Sequence, residues 1–218
     1  MAIEIGSTLE ALRRHAQANQ WYDRAIALHP DQTKAYLHKS LNYLGWLGDI
    51  RAARDAIESV PRERVENAAF GRFYMAFVER DWQAALDALA ATPDETLEVL
   101  GGVLPRVLAV GMVQQYRGEF DRARKAYDSA RRFLEGRLQE GRAEEGSARS
   151  FLGIAYAGLG LKDEAIREGR RGVDLCPASH DVIRRYARVE NLALIYTMVG
   201  ESDAALGQLE HLLSACGS

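Results

Sequence analysis

Apolar residues recur at spacings of three and four along almost the whole chain, in blocks separated by short polar or glycine-bearing turns. That period puts one apolar stripe on each of a series of helices. No sustained alternation of period two occurs, so no strand is predicted. The blocks come in pairs. One pair reads Leu152-Gly153-Ile154-Ala155-Tyr156, then Gly160, then Asp163-Glu164-Ala165-Ile166, and closes at Pro177. The same order returns in Leu192-Ala193-Leu194-Ile195-Tyr196, Gly200 and Ala204-Ala205-Leu206. It is foreshadowed by Val110-Gly111, Gly118, Ala123 and Tyr127, by Gly48-Asp49, Ala53 and Ile57, and by Ile5-Gly6, Ala18, Tyr22, Ala25 and Pro30. Taking the turn inside each pair as marker gives Arg13, Gly48, Arg80, Gly118, Gly160 and Gly200, spaced by 35, 32, 38, 42 and 40 residues. A recurring spacing of this size is the signature of a repeat architecture.

Each part of the unit has a physical reading. A small residue after a large one, as in Leu152-Gly153, lets the second helix of the pair come close. Gly160 stops the first helix, because glycine enters the left-handed region at low cost. Asp163 and Glu164 open the next helix, where the macrodipole favours negative charge. Pro177 ends the unit, since the residue before a proline avoids helical geometry.

Those residues resemble the tetratricopeptide repeat, whose pattern is a large residue before Leu-Gly, then Tyr, Ala, a large apolar residue and Pro. The resemblance runs from about Ile3 to Leu213. It implies an all-α fold, a right-handed α-solenoid of about six helix pairs, with units near 1–30, 31–61, 62–92, 93–140, 141–177 and 178–218. The second unit departs at Ser40-Leu41 and at Pro61. The third crowds Phe70, Phe73, Tyr74 and Phe77 on one face and has no glycine at its turn. Between the third and fourth, Thr92-Pro93-Asp94-Glu95 reads as a helix start, with a capping hydroxyl and Pro in the first turn. Gly101-Gly102 and Pro105 then interrupt that helix. The second helix of the fourth unit is expected to be long, from Ala123 through Tyr127, Ala130 and Leu134 to Leu138.

Composition changes little. The chain has 218 residues, 47% apolar and 27% charged, with a net charge of -3. Such a balance belongs to a folded globular chain and gives no electrostatic reason for nucleic acid or an anionic membrane as partner. Cys176 and Cys216 make neither a disulfide framework nor a metal cluster, and suit a reducing cytoplasm. Neither a spanning apolar run nor a signal-peptide pattern is present.

Candidate chemistry is sparse. His15, His29, His38, His180 and His211 include no two at metal-ligand spacing, so neither metal nor cofactor is expected. Cys176 abuts a proline and has no base nearby in sequence, and Gly101-Gly102 lacks the lysine of a phosphate loop. The arginine-rich stretch from Arg117 to Arg149 holds 9 basic and 7 acidic residues, only +2. An enzyme is not expected. The first helices of successive pairs would line an inner face, and His38, Asn42, Met112, Gln115, Ser150 and Ile154 are the residues expected to point into it. Repeat proteins bind along such a face. The resemblance therefore implies a non-enzymatic scaffold holding a protein segment in a groove.

A narrower resemblance, carried by Gly158 to Val173 and Glu190 to Glu201, is to the tails of large bacterial signalling proteins. There a tetratricopeptide region follows a kinase, nucleotide cyclase, DNA-binding or TolB-like domain. It implies the alternative of a regulatory or dimerising tail of a bacterial, cytoplasmic protein. The chain opens inside a first helix and closes without a polar capping helix, so it is expected to be a piece of a longer protein. Ala204, Leu206, Leu209, Leu212 and Leu213 would then be an uncovered face open to self-association.

Overall fold

A computed structural model describes residues 1–61, 68–99, 102–141, 144–176 and 182–215. Gly101, Pro177, His180, Asp181 and Cys216 lie outside the described residues. Two compact units divide the chain, Met1–Pro93 and Asp94–Ser218.

Among its described residues the first unit holds six helices: α1 (Ala2–Ala11), α2 (His15–Leu28), α3 (Thr33–Leu47), α4 (Ile50–Glu58), α5 (Ala69–Val78) and α6 (Trp82–Ala90). Each packs against the next in chain order. Asp49 and Asp81 cap α4 and α6, accepting from the backbone N–H of Ala52 at 2.9 Å and Ala84 at 3.0 Å. Caps of this kind satisfy donors that the helix itself leaves open. Ala18, Tyr22, Ala35 and Ala53 are fully buried between the helices. Ala53, Ile57 and Met75 make one apolar cluster, and Tyr36, Val60 and Ala68 another.

The second unit opens with a hairpin, β1 (Thr96–Val99) paired antiparallel with β2 (Gly102–Pro105). Six helices follow among the described residues: α7 (Arg106–Tyr116), α8 (Phe120–Gln139), α9 (Glu145–Gly158), α10 (Lys162–Asp174), α11 (Val182–Met198) and α12 (Ser202–Ala215). β2 packs on α7, α8 and α9. The hairpin corrects two expectations, that no strand would form and that a helix would start at Thr92. Thr92 caps nothing: it is buried, and its hydroxyl has no hydrogen-bond partner. The reason is packing. Leu97 and Leu104, opposite one another across the ladder, bury themselves together, while Glu98 and Val103 face outward. Gly102 has φ +153° and lies against α9, where a Cβ would stand 1.8 Å from Ser147 Oγ. Only glycine fits there.

α8 is 20 residues long, as its spacing predicts, with Ala130 and Leu134 buried in its added turns. The turn residues Arg13, Gly48, Arg80, Gly118, Gly160 and Gly200 all have positive φ. Close approach inside a pair is clearest at Gly153, where a Cβ would come within 2.9 Å of the Ala165 carbonyl oxygen. Val173, Val189, Leu192, Tyr196 and Ala205 close the core between α10, α11 and α12. The architecture is an all-α solenoid of antiparallel helix pairs with one inserted hairpin. Among the described residues no helix is long and apolar enough to cross a membrane.

Candidate functional site

Three of the six expected inner-face residues keep part of their surface and three do not. In the first unit His38 and Asn42 stand one turn apart on α3. His38 is half-buried and stacks on Tyr22 with ring centroids 5.6 Å apart. Burial, with the Lys34 charge as the smaller contribution, lowers its pKa from 6.5. Tyr22 donates to Glu10 Oε2 at 2.6 Å, and burial pushes the Glu10 carboxyl above its ordinary value.

Asn42 is fully buried. Its amide nitrogen donates to the His15 carbonyl at 3.0 Å and to Asn19 Oδ1 at 2.8 Å. The carbonyl of His15 can only accept, so the orientation of the Asn42 amide follows, and Asn42 Oδ1 accepts from His15 Nδ1 at 2.7 Å. The pair expected to meet a ligand is therefore divided. Asn42 ties α3 to α2, and His38 alone retains exposure.

In the second unit Met112 and Gln115 are half-buried on α7. Gln115 Oε1 accepts from Tyr127 Oη at 2.6 Å. Ser150 and Ile154 on α9 are 1% and 2% exposed. Ser150 Oγ accepts from Asn191 Nδ2 at 3.0 Å, joining α9 to α11. Helix α9 is buried on nearly every face, enclosed by α8, α10, α11 and the hairpin. Ser150 and Ile154 thus hold helices together and offer little to a ligand.

The repeat spacing extends the expected inner face to three further positions. The marker spacing from Gly48 to Arg80 is 32 residues, and adding it to His38 and Asn42 lands on Phe70 and Tyr74 of α5. The 38-residue spacing to the next marker then carries Tyr74 and Phe77 to Met112 and Gln115. Phe70, Tyr74 and Phe77 are half-buried, and Phe70 lies 5.7 Å from Tyr74 between ring centroids. The repeat spacing was the signal that could have placed them.

Side chains suited to reaction chemistry do not converge among the described residues. No group of three or more His, Cys, Asp or Glu there could hold a metal ion. Cys176 is buried, and His29 and His211 are exposed at separate places. Shallow grooves lie between neighbouring helices: one of about 700 Å³ among α4, α5 and α6, lined by Arg54, Arg72 and Glu79, and one of about 630 Å³ between Arg124, Lys125 and Arg131 of α8 and Leu159 and Leu161.

No family model matches the sequence, and no curated protein resembles it closely enough to count as a match. Among solved structures, it is similar to the APC/C hetero-tetramer Cut9–Hcn1, at 15% identity over 98% of this chain, with a TM-score of 0.56. This chain spans 39% of the length of that one. A tetratricopeptide repeat protein from Parabacteroides merdae is 16% identical over 98% of this chain and 78% of its own, with a TM-score of 0.45. BtubC from P. vanneervenii is 16% identical over 93% of this chain and 88% of its own, at 0.46. The likeness that counts, to Cut9–Hcn1, is one of fold. It shows the fold of a helical-repeat solenoid.

Proposed function

We propose that the chain is a non-enzymatic scaffold that binds a protein segment along the inner helices. The observation that carries this reading is partial exposure at equivalent repeat positions within each unit: His38 on α3 with Phe70, Tyr74 and Phe77 on α5 in the first, and Met112 with Gln115 on α7 in the second. Aromatic rings offer apolar area at small entropic cost, methionine adapts to varied partners, and Gln both donates and accepts to an extended backbone. The balanced charge favours protein over nucleic acid as the partner. The test is a pull-down from the source cell with mass spectrometry, repeated with Met112→Lys and Phe70→Ser and with helicity followed in parallel. Retention of the same partner by both folded variants would count against the inner face.

A second reading has its own support. The closure of α9 by neighbouring elements leaves little open groove in that part of the second unit, as a regulatory or dimerising tail would require. Leu206, Leu209 and Leu213 on α12 are 58%, 44% and 71% exposed, while Ala204 and Leu212 pack against the core. Self-association through that face belongs to this reading. Sedimentation that stays strictly monomeric at high concentration would remove it.

A further inference from the structure

At the start of α9 a polar cluster is only partly satisfied by the protein itself. Glu144 caps the helix, its Oε2 accepting from the Ser147 N–H at 2.7 Å. The same oxygen accepts from Arg188 Nη2 of α11 at 2.8 Å. Arg188 is 2% exposed, and its Nε has no hydrogen-bond partner. A buried donor left unmatched is costly, more so on a charged group. Gly146 explains how the guanidinium gets there: a Cβ at that position would stand 2.6 Å from Arg188 Nη1 and 2.8 Å from Cζ. The cation therefore lies against the first turn of α9, whose free N–H groups carry partial positive charge. Two positive ends in contact need an anion between them.

The neighbouring acids are otherwise engaged. Glu145 pairs with Arg149 Nε at 2.8 Å, and Glu168 with Arg149 Nη1 at 2.6 Å. Glu144 supplies the anion through one oxygen, from a side chain 47% exposed. We infer that the α9 N-terminus and Arg188 form an oxyanion-binding site, which Glu144 occupies as a built-in plug and which a ligand's carboxylate or phosphate takes by displacing it. An incoming group with several oxygens can reach both the helix N–H groups and Arg188 Nε, which Glu144 Oε2 leaves unmatched. The departing Glu144 side chain is already half in water, so its release costs little. The site is built from other residues than the half-exposed repeat positions and does not depend on what binds there.

The experiment is thermal unfolding of Glu144→Ala in chloride at fixed ionic strength, with sodium acetate and sodium phosphate titrated in. A ligand that binds only the folded chain raises the melting temperature. The variant should melt below the wild type and recover by several degrees in one of the anions. Recovery in acetate alone marks a carboxylate site, and recovery in phosphate alone or in both marks a phosphate-compatible one. Glu144→Ala/Arg188→Met should show no recovery. If Glu144→Ala does not fold, Glu144→Gln keeps a capping oxygen and serves in the same titration. In the wild type, the Gly146 and Ser147 amide resonances should shift with the same anion, at roughly tenfold higher concentration because Glu144 competes. Absent recovery, equal recovery in the double variant, or fixed wild-type resonances would each overturn the site.

Discussion

Asn42 shows how a side chain at an inner repeat position can be claimed by the fold. Its amide links three acceptor and donor groups of α2, and no sequence pattern announces that, because each partner is a distant, ordinary residue. His38, one turn away, keeps a half-exposed ring over Tyr22. Since its folded pKa is lowered below 6.5, the unfolded chain binds the proton first as pH falls. Stability is accordingly complete above the unfolded value, begins to fall as pH drops through it, and levels off below the folded value. Urea titrations across that window should show the loss, and His38→Gln should flatten it. An unchanged slope in the variant would mean that another group titrates. Among core residues, Leu192→Ala should cost about 2–5 kcal/mol. Arg170→Ala, which loses a part-buried hydrogen bond to Tyr196 Oη at 2.9 Å and a contact with the Tyr196 ring, should cost about 1 kcal/mol. Chemical denaturation of the two variants checks the contrast.

At the scale of elements, what could be read from sequence was whatever depends on local chemistry. The turns were legible because positive φ favours glycine, and the two exceptions, Arg13 and Arg80 with φ 57° and 60°, were found from the period alone. Left-handed backbone at a non-glycine residue costs on the order of 1–3 kcal/mol. Arg80→Gly should therefore raise the melting temperature modestly, and a clear drop would show that the arginine side chain matters more than its backbone. The hairpin was not legible. Its four-residue strands are too short to show a period, and Thr92-Pro93-Asp94-Glu95 satisfies every local rule for a helix start. What decides the outcome is nonlocal, the burial of Leu97 and Leu104 and the fit of Gly102 on Ser147. Gly102→Ala should strip protection from the Leu97, Val99 and Leu104 amides in hydrogen exchange while α10 to α12 stay protected. Retained protection would mean that the contact with α9 does not hold the hairpin.

Across the whole molecule the repeat period identified the fold class, because it samples all of the helix pairs at once. The candidate site was legible only as a set of positions. Which of them stay accessible depends on packing from outside the repeat: the hairpin, the added turns of α8, and hydrogen bonds such as that from Asn191 to Ser150. A solenoid shares its stability between neighbours, so Leu192→Ala should weaken exchange protection in α10 to α12 well before it is felt in α1 to α4. Uniform loss of protection along the chain would instead indicate one cooperative core.

The central claim is that a protein segment contacts the half-exposed inner positions. The most direct measurement places a photo-crosslinking amino acid at position 112 or 70, and at position 125 on the outer face of α8 as a comparison, in the source cell. The account predicts covalent adducts with a protein partner from positions 112 and 70, each read for its own unit, and none from position 125. Adducts arising from position 125 alone, or from none of the three in a folded chain, would contradict it.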